Sequence, residues 1–392
     1  MNQTARIISI YAADTSGVCS ALYEFGGMTV IHDASGCNST YTTHDEPRWY
    51  DMDSMMYISG LTENDAVMGN DEKFISDLAR AAEELKPEYV AICASPMPAM
   101  IGIDMDAIAY EVESRTGIPS FDVKTNGMQS YITGAGNAFL KLAERFTEAP
   151  DKKNSHGKIK VNILGMTPLD FPIGTDREIR EWLESVGFEV NSCIGMGCSL
   201  ADVKRLGDGD VSLVVSSVGR PLAEWLKDRF DIPFVVGVPY GNKFSSVLAE
   251  NLRKVRGVET DDAEELTDSV SGQYRIYDSR IAVVGESVLS TSLAAAISLE
   301  YGLGTRVLET VGEGDMSQLS PSDYSCDDED ELEKELSKAE IIIGDPLFEP
   351  ICRGKKFIRL PHDAFSGRCF HREAKKLIET PDYLAHDLIS QE

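Results

Sequence analysis

Two cysteines, Cys19 and Cys37, flank the short apolar run Met28-Thr-Val-Ile-His32, and Gly27 and Gly36 punctuate its two ends. The first reads as sitting at the start of a helix and the second as following a strand, next to a glycine. Helix N-termini and glycine turns present backbone N–H groups that stabilise thiolates and the sulfides of iron–sulfur clusters. The arrangement would let Cys19 and Cys37 bind one common centre. The alternative is packing, because a free cysteine most often behaves as a small buried apolar residue. The chain has eight cysteines. The pair Cys193 and Cys198 matches no common metal spacing and reads as packing.

The elements that must hold these residues alternate short β-branched runs with amphipathic stretches, the pattern of parallel α/β layers. Tyr89–Cys93 reads as a buried strand after a helix over Asp71–Leu85, which Pro87 stops. The middle of the chain is the clearest. Strands are expected at Ile159–Gly165, Glu189–Cys193, Val211–Ser217 and Phe234–Gly237. Helices are expected between them at Asp176–Val186, Leu200–Leu206 and Pro221–Phe230. Further on, strands are expected at Ile281–Gly285, Thr305–Glu309, Ile341–Gly344 and Lys356–Leu360, with a helix over Val288–Tyr301. The expected fold is three consecutive doubly wound, Rossmann-like parallel-sheet domains covering residues 1–154, 155–272 and 273–392. Ligands of such sheets bind beyond the carboxyl ends of the strands. Those ends are Cys93, Gly165, Cys193, Ser216, Ser217, Gly285, Gly344-Asp345-Pro346 and Pro361-His362, which would line one central cavity if the domains face one another.

The formal charge of −28 argues against nucleic acid and anionic membranes as partners. The acidic stretches Glu259–Asp268 and Asp327–Glu335 read as solvated helix faces or loops. No apolar run is long enough to cross a bilayer, and the N-terminal residues do not read as a secretory signal, so a cytoplasmic protein is expected. The chain has no GxxxxGK[ST] loop and no GxGxxG between a strand and a helix, so no nucleotide site is expected on it. It also lacks HExxH and paired CxxC zinc motifs.

The segment from Cys19 through Gly27 to His32-Asp-Ala-Ser-Gly-Cys37 resembles the N-terminal cluster-binding region of nitrogenase component 1-type oxidoreductases. The resemblance continues in Gly60-Leu-Thr-Glu63-Asn64-Asp65-Ala-Val-Met-Gly69, in Ile101-Gly102-Ile-Asp104 and in Thr125-Asn-Gly127-Met-Gln-Ser130 with Gly134. It ends in Phe357-Ile-Arg-Leu-Pro361-His-Asp with Ser366-Gly367. In size the chain looks nearer to the F430 reductive cyclase and protochlorophyllide reductase relatives than to true nitrogenase.

The resemblance implies the catalytic component of a two-component reductase. It implies an iron–sulfur cluster, 4Fe–4S, at a subunit interface, and electrons from an ATP-hydrolysing iron protein. The substrate implied is a small molecule or a tetrapyrrole-like compound. Cys19 and Cys37 fall on the family's ligand positions. The third position, five residues before Ile101, holds Pro96, and the nearby candidate is Cys93. A homodimer presenting Cys19 and Cys37 twice would supply four thiolates, and a paralogous heterodimer is the other option. Ser216 and Ser217 stand where nitrogenase's catalytic subunit carries a cofactor cysteine, so dinitrogen reduction is not expected. Proton donors for a reduction would come from His44, Asp45, Asp104, Glu286 or His362, with His44 and His362 the catalytic candidates. Arg48 and Trp49 are cavity candidates of similar standing. The competing functions are a metallocofactor assembly scaffold and a cluster-poor ligand sensor of the same fold.

Overall fold

A computed structural model of the 392-residue chain describes residues 6–10, 13–34, 46–150, 157–256, 270–326, 328–374, 376–377 and 379–389. Cys37, His44 and Asp45 lie outside the described residues.

In the first unit the strands are β1 (Met28–His32), β2 (Met55–Ile58), β3 (Val90–Ala94) and β4 (Ser120–Val123). Its helices are α1 (Asp14–Leu22), α2 (Glu63–Met68), α3 (Asp71–Leu85), α4 (Pro96–Ile101), α5 (Met105–Thr116) and α6 (Tyr131–Phe146). The second unit has β5 (Lys160–Leu164), β6 (Glu189–Ile194), β7 (Val211–Val214) and β8 (Phe234–Val236), with α7 (Thr175–Ser185), α8 (Leu200–Lys204), α9 (Arg220–Phe230) and α10 (Asn242–Val255). The third has β9 (Ile281–Gly285), β10 (Arg306–Glu309), β11 (Tyr324–Ser325), β12 (Ile341–Gly344) and β13 (Lys356–Arg359). With it go α11 (Ser287–Tyr301), α12 (Glu329–Leu336), α13 (Asp363–Ser366) and α14 (Thr380–Ile389).

All three sheets are parallel, in the orders β2-β1-β3-β4, β6-β5-β7-β8 and β11-β10-β9-β12-β13. The central strands are continuous apolar runs such as Val90–Ala94 and Ile341–Gly344, buried at every residue, because both faces of a doubly wound sheet are covered. Each order reverses direction once, between β1 and β3, β5 and β7, and β9 and β12. Beyond the carboxyl ends of such a pair the two outgoing loops diverge and leave a crevice.

The largest apolar core runs through all three units, from Val18 and Phe139 through Leu213 and Leu248 to Ile343. The N-terminal segment packs on the third unit: Ile10 N–H donates to the Phe365 carbonyl (2.9 Å), and Arg6 pairs with Glu329 and Glu333 of α12. The acidic stretch before residue 336 is therefore partly a docking edge.

Two helices cross unusually closely. Methyl groups at Gly17 on α1 and Gly134 on α6 would overlap the Tyr131 and Asp14 carbonyl oxygens respectively. Only hydrogen at both positions lets the two backbones meet. All of α1 is buried as a result. Cys19 is the sixth residue of this helix, one turn further in than the helix start expected from the sequence, so helix-terminal N–H groups do not serve its thiol.

A cavity between two strand crossovers

The crevices of the second and third sheets face each other. From the β5/β7 crossover come Asp170, Ser216 and Ser217, and from β9/β12 come Glu286 and Asp345. His362 follows β13. Asp170, Glu286, Asp345 and His362, together with Tyr240 and Phe171, line a cavity with about 50 Å³ of water-accessible space. A single water needs roughly 10–15 Å³ by this measure, so the space suits about four waters or a ligand of similar size.

Each carboxylate is held by its own donors. Asp170 accepts from Tyr131 Oη (2.6 Å), Ser216 Oγ (2.7 Å) and Thr167 Oγ1 (3.0 Å). Glu286 caps α11 by accepting from the Leu289 N–H (2.9 Å), and it also accepts from the Ser217 hydroxyl. Asp345 accepts from the His362 N–H (2.7 Å), Ser366 Oγ (2.7 Å) and the Leu347 N–H (2.8 Å). His362 Nε2 lies 3.4 Å from Asp170 Oδ1, an ion-pair contact outside hydrogen-bond geometry. Both ring nitrogens of His362 are buried without a hydrogen-bond partner.

Burial opposes charge on every one of these groups, and the balance differs at each. Burial, then the nearby Asp170 carboxylate, pushes the Glu286 carboxyl up to about 7. Burial also raises Asp345. For His362 burial is the largest single influence and acts downward. Asp170, Asp345 and Glu286 together overcome it, and the imidazole ends above its ordinary value.

These shifts predict a pH dependence of stability. Glu286 binds more protons folded than unfolded between its ordinary 4.5 and about 7, so its contribution falls as pH rises through that window. The raised His362 acts in the same direction, its contribution being lost as pH passes the folded value. Glu286→Gln should flatten the stability loss between pH 5 and 7.5, an effect on the order of 3 kcal/mol. Thermal midpoints of both proteins across that range check it, and parallel curves would refute it.

The other sequence candidates lie elsewhere. Cys19 and Cys93 share the core of the first unit. Burial, then Glu46, pushes the Cys19 thiol up to about 12. Cys93 is raised by burial, then by the Cys19 and Asp14 charges, which places the three groups in one electrostatic neighbourhood. Arg48 is committed to structure. It donates to Glu46 (2.6 Å), Glu24 (2.9 Å), and the Ser20 and Gly195 carbonyls, tying α1 to the loop after β6. Trp49 is 43% exposed and packs edge-on against Tyr50. Asp104 is exposed and caps α5 through the Ala107 N–H. Cys193 is a core residue. Of the proton-donor candidates that are described, only Glu286 and His362 reach the cavity. Motif reading does not single out Asp170, Tyr131 or Tyr240. For Asp170 the available signal is Thr167-Pro-Leu-Asp170 directly after a strand end, a turn that aims a carboxylate back over the sheet.

Among the described residues no group of three or more His, Cys, Asp or Glu side chains could hold a metal ion. No described helix is long and apolar enough to cross a membrane.

A family model described as nitrogenase component 1 type oxidoreductase matches residues 15–349. The nitrogenase iron-molybdenum cofactor biosynthesis protein NifE of Sinorhizobium fredii is 29% identical over 208 residues, 51% of this chain and 39% of the relative. One of the light-independent protochlorophyllide reductase subunits, from Methylobacterium sp. (strain 4-46), is 29% identical over 248 residues, 59% of this chain and 47% of the relative. The chain thus spans less than half the length of these curated relatives. A solved structure of nitrogenase Cp1 at pH 6.5 superimposes with a TM-score of 0.71 at 18% identity, covering 99% of this chain and 93% of that one. The fold is therefore that of the nitrogenase component 1 chains.

Proposed function

We propose, on the premise that this chain belongs to the nitrogenase component 1 type oxidoreductase family, that it is the electron-accepting and substrate-holding component of a two-component reductase. Its partners in this reading are an ATP-hydrolysing iron protein and a second component 1 subunit, either another copy of itself or a paralogue. The observation that carries the reading is the cavity at the sheet crossovers. It is enclosed by two units and lined by a carboxyl that holds its proton near neutral pH. A reduction consumes protons with electrons, and the best donor has a pKa close to the working pH. Glu286 meets that condition, and the imidazole of His362, whose Nδ1 has no hydrogen-bond partner, lines the same cavity.

Cys19 and Cys93 fit an iron–sulfur cluster in part: two thiols of one buried neighbourhood, free of disulfides. Cys37 completes the donor set in this reading, and the partner subunit supplies the remainder. Such a cluster, when bound, supplies single electrons. The thiol protons, held tightly in the metal-free protein, leave when metal binds. Within the cavity, Glu286 is placed to give its proton to the substrate atom that gains electron density. Ser217 holds that carboxyl in position, and the Asp170–His362 pair stands as the second proton source. The cavity size favours a small molecule over a tetrapyrrole.

Anaerobically purified protein should carry iron and acid-labile sulfide, about four of each per cluster, and a signal lost on adding dithionite. Cys19→Ser should remove most of the iron while leaving near-ultraviolet circular dichroism intact. Iron-free wild-type protein, or a Cys19→Ser variant with full iron content, would overturn the reading.

A further inference from the structure

The charge of the cavity constrains its ligand more sharply than its size does. Among the described residues its charged lining comprises three carboxyl groups, Asp170, Glu286 and Asp345, and one imidazole, His362, with no lysine or arginine. Asp170 and His362 face each other at 3.4 Å and offset one another. A single imidazole thus serves three carboxyl groups among the described lining residues, and Asp345 and Glu286 are each 1% exposed. Hydroxyl and backbone N–H donors soften this, but uncompensated buried charge remains expensive. His362 shows separately that the site is incomplete. It lines the cavity with a side chain only 10% exposed; Nε2 has only the 3.4 Å ion-pair contact with Asp170, and Nδ1 has no hydrogen-bond partner. Native interiors seldom leave such atoms unsatisfied.

We propose that this cavity binds a small nitrogen compound carrying N–H donors, cationic or neutral and of the amidine or amide type, and excludes carboxylates and other anions. The inference rests on the cavity being the substrate site only for its relevance to turnover; the binding itself is an equilibrium property that needs no electrons. Donors on the ligand face Glu286 and Asp345, and a positive charge supplies the missing counter-ion. An anion meets two carboxylates in a low-dielectric space, where like charges repel strongly. The same charge balance disfavours an anionic metallocofactor and so weighs against the assembly-scaffold alternative.

Three ligands of one shape and size separate the outcomes: acetamidinium, acetamide and acetate, each with four non-hydrogen atoms. Binding to the full chain, followed by calorimetry at low ionic strength, should be tightest for acetamidinium, weaker for acetamide and weakest for acetate. At pH 8 the first and last should differ by about tenfold or more. Acetamidinium should bind up to about tenfold more tightly at pH 8 than at pH 6, because Glu286 loses its proton through that range. Glu286→Gln, of the same shape, should weaken acetamidinium binding and remove its pH dependence. Equal binding of all three, preference for acetate, or acetamidinium binding that Glu286→Gln leaves unchanged would each overturn the proposal. The last result would assign the binding to the acidic outer surface. A protein that shows the predicted series yet holds no iron would refute the reductase reading and leave this one standing.

Discussion

Replacing Arg275 with methionine is expected to destabilise the protein by about 3–5 kcal/mol, or roughly 5–15 °C in thermal midpoint. Arg275 precedes β9 and Asp323 precedes β11. Their side chains meet in a two-pronged ion pair, Nη1–Oδ2 and Nη2–Oδ1 both 2.7 Å, with 0% of either side chain exposed. Asp323 also accepts from the Val307 and Ser320 N–H groups, so it cannot turn toward water when its partner goes. The loss is that of an ion stranded in the core. It does not measure the net worth of the pair, which is often near zero against an apolar substitute. The double change Arg275→Met with Asp323→Leu should therefore recover part of the loss. Thermal denaturation of the two variants beside the parent decides it; a single variant within about 1 °C of the parent would refute the argument.

The second large effect lies at the crossing of α1 and α6. Gly134→Ala puts a methyl group into the Asp14 backbone, and backbone cannot move aside as a side-chain tip can. Overpacking of this kind costs about 1–3 kcal/mol and sometimes more. Here it also disturbs Asp14, whose carboxylate holds the Asn126 and Gly127 N–H groups at 2.8–2.9 Å. The helix that shifts carries Cys19, so under the proposed ligand assignment iron content should fall together with stability. Gly136→Ala is the control. Its methyl would approach Pro221 Cγ at 3.2 Å and the Val218 carbonyl oxygen at 3.3 Å, contacts that a shift of a few tenths of an ångström relieves, and the loss there should be clearly smaller. Matching losses for the two variants would show that the close crossing is not the cause.

Much of the framework is legible in the sequence because its signals are local. Ile281–Gly285 and Ile341–Gly344 agree with the expected strands residue for residue, and the helix over Asp71–Leu85 does too. β-branched runs between amphipathic stretches have few other readings. The short edge strand Met55–Ile58 and the helices Glu63–Met68 and Pro96–Ile101 give no such signal, since each is a turn or so long and shows no periodicity. The strand ends alone point to Gly285, Asp345, Pro361 and His362 in the cavity. They cannot reveal that Tyr131, from a different unit, holds Asp170. Contacts of that kind depend on how the sheets are set against one another, and no short stretch of sequence encodes it. Cys19 sits one turn from its expected place because the helix begins at Asp14, whose carboxylate binds the distant 126–127 loop and the Thr15 N–H just after it.

Tyr131 and Gly134 occupy the same first turn of α6. The tyrosine hydroxyl reaches Asp170 in the cavity, and the glycine seats the backbone of the helix that carries Cys19. The two points are separated by three residues, about 5 Å along the helix axis. A tightly packed turn of helix transmits displacement with little slack. Any shift of α1 would thus act on a lever whose other end is the carboxylate beside His362. The seating of α1 and the lining of the cavity are joined through one turn of helix, with the Tyr131–Asp170 hydrogen bond as the link.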